Sequence, residues 1–179
     1  MSLTLATLLP GLLLIALGAA FLAGTPAIVA MFKAMPRSRA ATFVFFYGGA
    51  AWFLNLIWNL SAADFGDHRV LLFIGFSLVT VLAFFYVPDF LAVRGLCILV
   101  LLAGWPVLMA GYMNFDHPQV YFLKVFVFVC VALALWLGAQ PWRLRDFFQW
   151  LFATGGRPRT VGGALVGYGL LLCVVAFTY

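Results

Sequence analysis

The chain contains no glutamate, and its acids number five: Asp64, Asp67, Asp89, Asp116 and Asp146. Charged residues make up 8% of the total, against roughly 25% in a soluble globular domain. That excludes a soluble fold. None of the five aspartates falls deep within an apolar run, so a proton relay built on intramembrane carboxylates has no candidate. Both histidines, His68 and His117, lie in turns, which leaves no Ser–His pair or Asp–Asp dyad for an intramembrane protease. Neither a Walker sequence nor GxGxxG occurs, so nucleotide chemistry is unsupported.

Cysteine is scarce as well. Cys97, Cys130 and Cys173 fall in three separate apolar runs without CxxC or Cys/His spacing. A disulfide framework and a metal knuckle are therefore not expected, and the thiols read as small buried apolar groups. No Lys or Arg precedes position 33. A cleaved signal peptide carries a basic start and a shorter apolar stretch, so the first run is expected to be retained as a span.

What is present is hydrophobic residue, 66% of the chain. A helix needs roughly 20 mostly apolar residues to cross a bilayer. Six segments meet that length: 3–32, 41–60, 70–87, 90–112, 120–138 and 161–177. The expected fold is thus an all-α polytopic bundle, a single transmembrane domain over 1–179. Between the fifth and sixth spans, 141–153 spaces Leu144, Phe147, Phe148, Leu151 and Phe152 at i, i+3, i+4, i+7 and i+8. Arg143, Arg145, Asp146 and Gln149 fall opposite. This predicts an amphipathic helix lying at the interface, with Trp142 and Trp150 at headgroup depth. Asp89, between the third and fourth spans, is placed to cap the fourth.

Charge sets the expected orientation. One set of alternate turns holds Lys33, Arg37, Arg39, Arg94, Arg143, Arg145, Arg157 and Arg159; the other holds only Arg69 and Lys124, beside Asp64, Asp67 and Asp116. Under the positive-inside rule both termini lie outside the cytoplasm and the amphipathic helix inside it, in the cytoplasmic (inner) membrane. The same bias accounts for the net charge of +5 without nucleic acid.

Two stretches echo one another. LAGTPAIVAMF at 22–32 and LAGWPVLMAGY at 102–112 share Leu, Ala, Gly and Pro in register, which predicts helix breaks at Gly24/Pro26 and at Gly104/Pro106. Two halves, 1–88 and 89–179, with three spans each would enter the membrane oppositely, as in inverted-repeat transporters. Apolar spans drawn from few residue types also match by chance.

Candidate sites are few. Asn55 and Asn59 share one face of the second span with Trp52 and Trp58 nearby, and Ser77 and Thr80 lie on the third. Two amides are costly against hydrocarbon, so they are expected to point into the bundle. Interhelical hydrogen bonding is the favoured reading there, and a polar lining for a neutral ligand is the functional one. Arg94, Arg143, Arg145, Arg157 and Arg159 are candidates for anionic lipid headgroups on the cytoplasmic face. Asp64, Asp67, His68, Asp116 and His117 carry metal-ligating groups, but adjacent Asp-His pairs are not a fixed ligand spacing, and no metal or other cofactor is expected. The function these features favour is non-enzymatic: a small transporter or channel for a neutral or lipophilic ligand, or a membrane subunit of a larger complex. Its expected partners are membrane lipids, a second copy or another membrane subunit. The alternative is a lipid-modifying or lipid-binding enzyme that uses the basic residues, for which no nucleophile or acid is evident.

Overall fold

The computed structural model describes residues 1–114 and 116–179, so residue 115 of the turn at 114–118 lies outside the described residues. Helix dominates and no strand occurs among the described residues. Six helices are long and apolar enough to cross a membrane, which makes the protein a multi-pass, all-α membrane protein. They are α1 (Leu3–Ala23), a composite over Arg39–Trp58, α5 (Arg69–Tyr86), α6 (Leu91–Ala110), α7 (Val120–Ala139) and α9 (Gly156–Ala176). The composite joins α3 (Arg39–Thr42) to α4 (Gly48–Trp58) through a π-helical turn at Phe43–Tyr47. Two shorter helices, α2 (Pro26–Ala34) and α8 (Trp142–Leu151), complete the chain.

The break expected at Gly24/Pro26 is present. Gly24 takes φ +52 and its N–H donates to the Ala20 carbonyl at 3.3 Å, closing α1. Thr25 then restarts the helix, its hydroxyl accepting from the Ile28 N–H at 3.4 Å, with Pro26 in the first turn, where its missing N–H costs nothing. The break expected at Gly104/Pro106 is absent, because α6 runs unbroken through both residues to Ala110. The physical difference is the residue between them. Thr25 supplies a capping oxygen, whereas Trp105 has none to offer and stays helical.

Asp89 does not cap α6 either. The helix begins one residue later than expected, after Phe90, which sits at φ +58 and provides no side-chain cap. Left-handed backbone is unusual for a bulky L-residue.

The tightest packing joins the first and last spans. α1 and α9 run antiparallel with Gly11 against Gly169 and Gly18 against Gly162. A Cβ at Gly18 would stand 2.6 Å from the Gly162 carbonyl oxygen, and one at Gly169 would stand 2.7 Å from that of Gly11. Buried positions on α1 include Thr7, Gly11, Leu14, Gly18 and Phe21, a four-three alternation typical of left-handed pairing. Pro158, Gly162, Gly169, Leu172 and Ala176 follow the matching pattern on α9. Small residues let the backbones approach, and within lipid that contact itself drives association.

The remaining helices are joined more loosely. Ala6 of α1 meets Leu123 and Val127 of α7, and Val93 and Cys97 of α6 meet Ala134 of α7. Gly95 of α6 lies directly against the π-helical turn: its added Cβ would come within 2.5 Å of Phe46 Cα and 2.7 Å of the Phe45 carbonyl carbon. α5 stands outermost with no buried residue. Three aromatic pairs fix it to the composite helix: Tyr47–Phe84, Phe53–Phe76 and Trp58–Phe73, at 5.8, 5.0 and 5.4 Å between centroids. The two halves are packed differently: α1 is zipped to α9, whereas α5 has no buried residue.

The amphipathic helix forms close to where its periodicity places it, but its inner face meets protein. Phe148 and Leu151 are buried with Phe21 of α1, and Phe32 of α2 packs against this cluster. Rings of Phe21, Phe32, Phe148 and Phe152 interlock at 5.0 to 6.3 Å. Trp142, Phe147 and Trp150 remain exposed on the other flank.

Candidate apolar groove in the bundle

Between α1, α4, α6 and α7 the helices leave a groove of about 520 Å³. Leu9, Pro10 and Leu13 form one wall, Trp52 a second, Leu99, Ala103 and Pro106 a third, and Phe126 and Cys130 a fourth. Its lining carries no charged side chain. Small side chains and prolines explain the space. Gly104 and Ala103 project little toward α7, and Pro10 and Pro106 each lie inside a helix, where they remove an N–H from the backbone ladder. Gly104 and Pro106 therefore belong to the wall of this groove instead of to a helix break. Trp52 borders this groove.

The asparagines do not join it. Asn55 and Asn59 are exposed and face away from the bundle interior. α4 ends at Trp58, so Asn59 is its C-cap and not a mid-span residue. Its side-chain amide donates to the Asn55 carbonyl at 2.7 Å and to Asn55 Oδ1 at 3.3 Å. The pair thus satisfies a helix terminus, where carbonyls would otherwise lack partners. Asn55 and Trp58 border a shallow outward hollow with Phe73 of α5. Thr80 bonds back to its own helix, donating to the Phe76 carbonyl at 2.8 Å, and half-buried Ser77 lies on the same helix. The expected inward polar face is therefore not formed.

The basic candidates are dispersed over the end of the bundle that also holds α2 and α8. Arg143 donates to Gln140 Oε1 at 3.1 Å and covers Trp136. Arg157 donates to the Trp150 carbonyl at 2.9 Å and lies 4.7 Å from that indole's centre. Arg159 borders a small hollow beside Gly24. Arg145 pairs with Asp146 at 2.8 Å. Its guanidinium also covers Phe90, and so does that of Arg37, a residue outside the expected set. Arg94 is half-buried, one helical turn beyond Phe90.

At the opposite end, the metal-ligating types are not gathered. Asp64 accepts from the Ser61 hydroxyl at 2.8 Å, and the His117 ring packs edge-on to Tyr179. Among the described residues, no three of Asp64, Asp67, His68, Asp116 and His117 form a group able to hold an ion.

The groove was missed in the sequence because its residues are ordinary apolar ones on four helices. The available signal was a proline in the middle of each of two spans. Against protein-family models, curated proteins and solved structures, the chain finds no match.

Proposed function

We propose that this membrane protein takes up a neutral, lipophilic ligand from the bilayer into the groove between α1, α4, α6 and α7, acting as a small transporter or as the ligand-binding subunit of a larger membrane assembly. The groove itself carries the reading: a space of about 520 Å³ between four helices, with no charged side chain in its lining. Ligand pockets typically occupy roughly 300–1,000 Å³ with mainly apolar walls. An ion or polar solute finds no line of donors or acceptors through these walls, which favours an apolar chain or ring over a hydrophilic cargo.

Photolysis of a diazirine-bearing long-chain alcohol in protein-containing nanodiscs tests this. Adducts are expected at Leu99, Val100 and Ala103, in excess over the exposed positions Leu71, Ile74, Leu78 and Phe85 of α5, which serve as the internal reference. Ala103→Phe fills the groove and is expected to lower those adducts about tenfold, the effect of about 1.4 kcal/mol in affinity. Equal labelling of α5 and the groove, unchanged by Ala103→Phe, would sink the proposal.

For orientation we infer the basic end to be cytoplasmic and both termini to lie outside, in the cytoplasmic (inner) membrane. Eight of the ten Lys and Arg residues on one side of the spans support this. Cysteines introduced as Asp64→Cys and Arg157→Cys are expected to react with an impermeant maleimide from opposite sides of sealed vesicles. Reaction of both from one side overturns the assignment.

A further inference from the structure

At the basic end, independently of the groove, we infer a binding site for a phosphate group centred on Phe90. Phe90 holds left-handed backbone, φ +58, between the end of α5 and the start of α6. Two guanidinium groups from distant parts of the chain converge on its ring, Arg37 at 5.0 Å and Arg145 at 5.9 Å from the centroid. Arg94 lies four residues on, in the first turn of α6, and its backbone N–H donates to the Phe90 carbonyl at 3.2 Å. Its Nε is buried without a hydrogen-bond partner among the described residues. Arg39 and Thr42 complete the wall of an adjoining cavity of about 480 Å³, which Phe90 and Arg37 also line.

Charge is unbalanced here. Asp146 is engaged by Arg145 in the one ion pair within 4.0 Å among the described residues. Asp89 lines the cavity and is its only carboxylate. Among the described residues, Arg37, Arg39 and Arg94 have no carboxylate within ion-pairing distance. Like charges brought to one ring repel, and a half-buried guanidinium with an unpartnered Nε is costly, so a bound anion stabilises the arrangement. Guanidinium groups match phosphate geometry through paired N–H donors. Arg143 and Arg157, by contrast, already donate to Gln140 and to the Trp150 carbonyl. The site is therefore narrower than the basic face as a whole. Its ligand is a phosphate, supplied either by a lipid headgroup or free in solution.

Native mass spectrometry of the detergent-solubilised protein with phosphatidic acid, diacylglycerol and inorganic phosphate decides the matter. Retention of phosphatidic acid over diacylglycerol, without competition by millimolar phosphate, supports a lipid headgroup. Binding of, or competition by, inorganic phosphate supports a soluble source. In either case Arg37→Gln and Arg94→Gln should each weaken binding about tenfold, as expected for loss of a charge-assisted contact, whereas Arg159→Gln stays within about twofold. Arg37 is exposed, so its variant tests the site without threatening the fold, and Arg94→Lys, which keeps the charge, should retain part of the affinity. The inference fails if neither ligand binds, if diacylglycerol binds equally well, or if Arg159→Gln weakens binding as much as Arg37→Gln.

Discussion

Gly18→Leu separates the first span from the last and lowers the apparent melting temperature in detergent by about 10 °C, the consequence expected of roughly 3 kcal/mol in a chain of this size. The first added carbon would lie 2.6 Å from the Gly162 carbonyl oxygen and 2.9 Å from the Val166 backbone nitrogen. Neither is the end of a side chain that could turn aside. The helices must move apart, and the close contacts at Gly11, Gly162 and Gly169 are lost with them. Gly162→Leu, on the other helix, is expected to match it, since its Cβ would meet the Gly18 carbonyl at 2.8 Å. Gly163→Leu and Gly167→Leu provide the comparison. Both lie on α9 with nothing within 4 Å of an added Cβ. They should melt within about 2 °C of the parent, the range of ordinary surface substitutions. If Gly18→Leu and Gly163→Leu melt together, the α1/α9 pairing is wrong.

The second large effect is expected at Gly95. An alanine there places its methyl within 2.5 Å of Phe46 Cα and 2.7 Å of the Phe45 carbonyl carbon. The displaced segment is the π-helical turn, where aromatic residues crowd a widened helix. This contact matters more than its size suggests, because α5 is fixed to the bundle through α4. Moving the composite helix off α6 therefore releases two spans. Gly95→Ala is expected to cost about 1–3 kcal/mol and to expose the turn at 60–69 to protease at least tenfold faster. Gly75→Ala, on open α5, should leave the digestion pattern unchanged. Equal digestion of the two variants would show that α6 does not anchor the pair.

How far the sequence could be read depended on the kind of information each feature needs. Spans were legible because the bilayer imposes a length: five of the expected segments overlie an observed span with ends displaced by at most five residues, while 3–32 is divided between α1 and α2. The shift at Asp89 has a local cause in the left-handed Phe90, which no apolar pattern signals. The helix at 141–153 was legible from its periodicity and the break at Gly24/Pro26 from its Gly-x-Pro, while the cap at Thr25, not read there, is a matter of residue type. The same logic applied to Trp105 would have warned that the second Gly-x-Pro lacks a capping group.

What composition did not reveal was partnership. Gly11 and Gly18 stand seven residues apart, as do Gly162 and Gly169, and both spacings are visible in the chain. Their meaning appears only once α1 and α9 are opposed. Asn55 and Asn59 misled for a related reason. The rule that amides turn inward holds within a span, but Asn59 lies at its end, where the unpaired backbone is nearer than any neighbouring helix. Arg37 and Arg145 each lie more than fifty residues from Phe90, and stacking on a shared ring leaves no trace in spacing.

The glycine contact between α1 and α9 also orders events in time. Among the six spans α1 comes first in chain order and α9 last, and the two pack most tightly. At translation speeds of about 5–20 residues per second, α1 waits on the order of ten seconds with its small-residue face unmatched. Through that interval the groove lacks a stably held wall, because α1 forms one of its sides. Closure of the α1/α9 pair thus waits for the last of the six spans, and a ribosome that stalls before Gly162 leaves α1 without its partner.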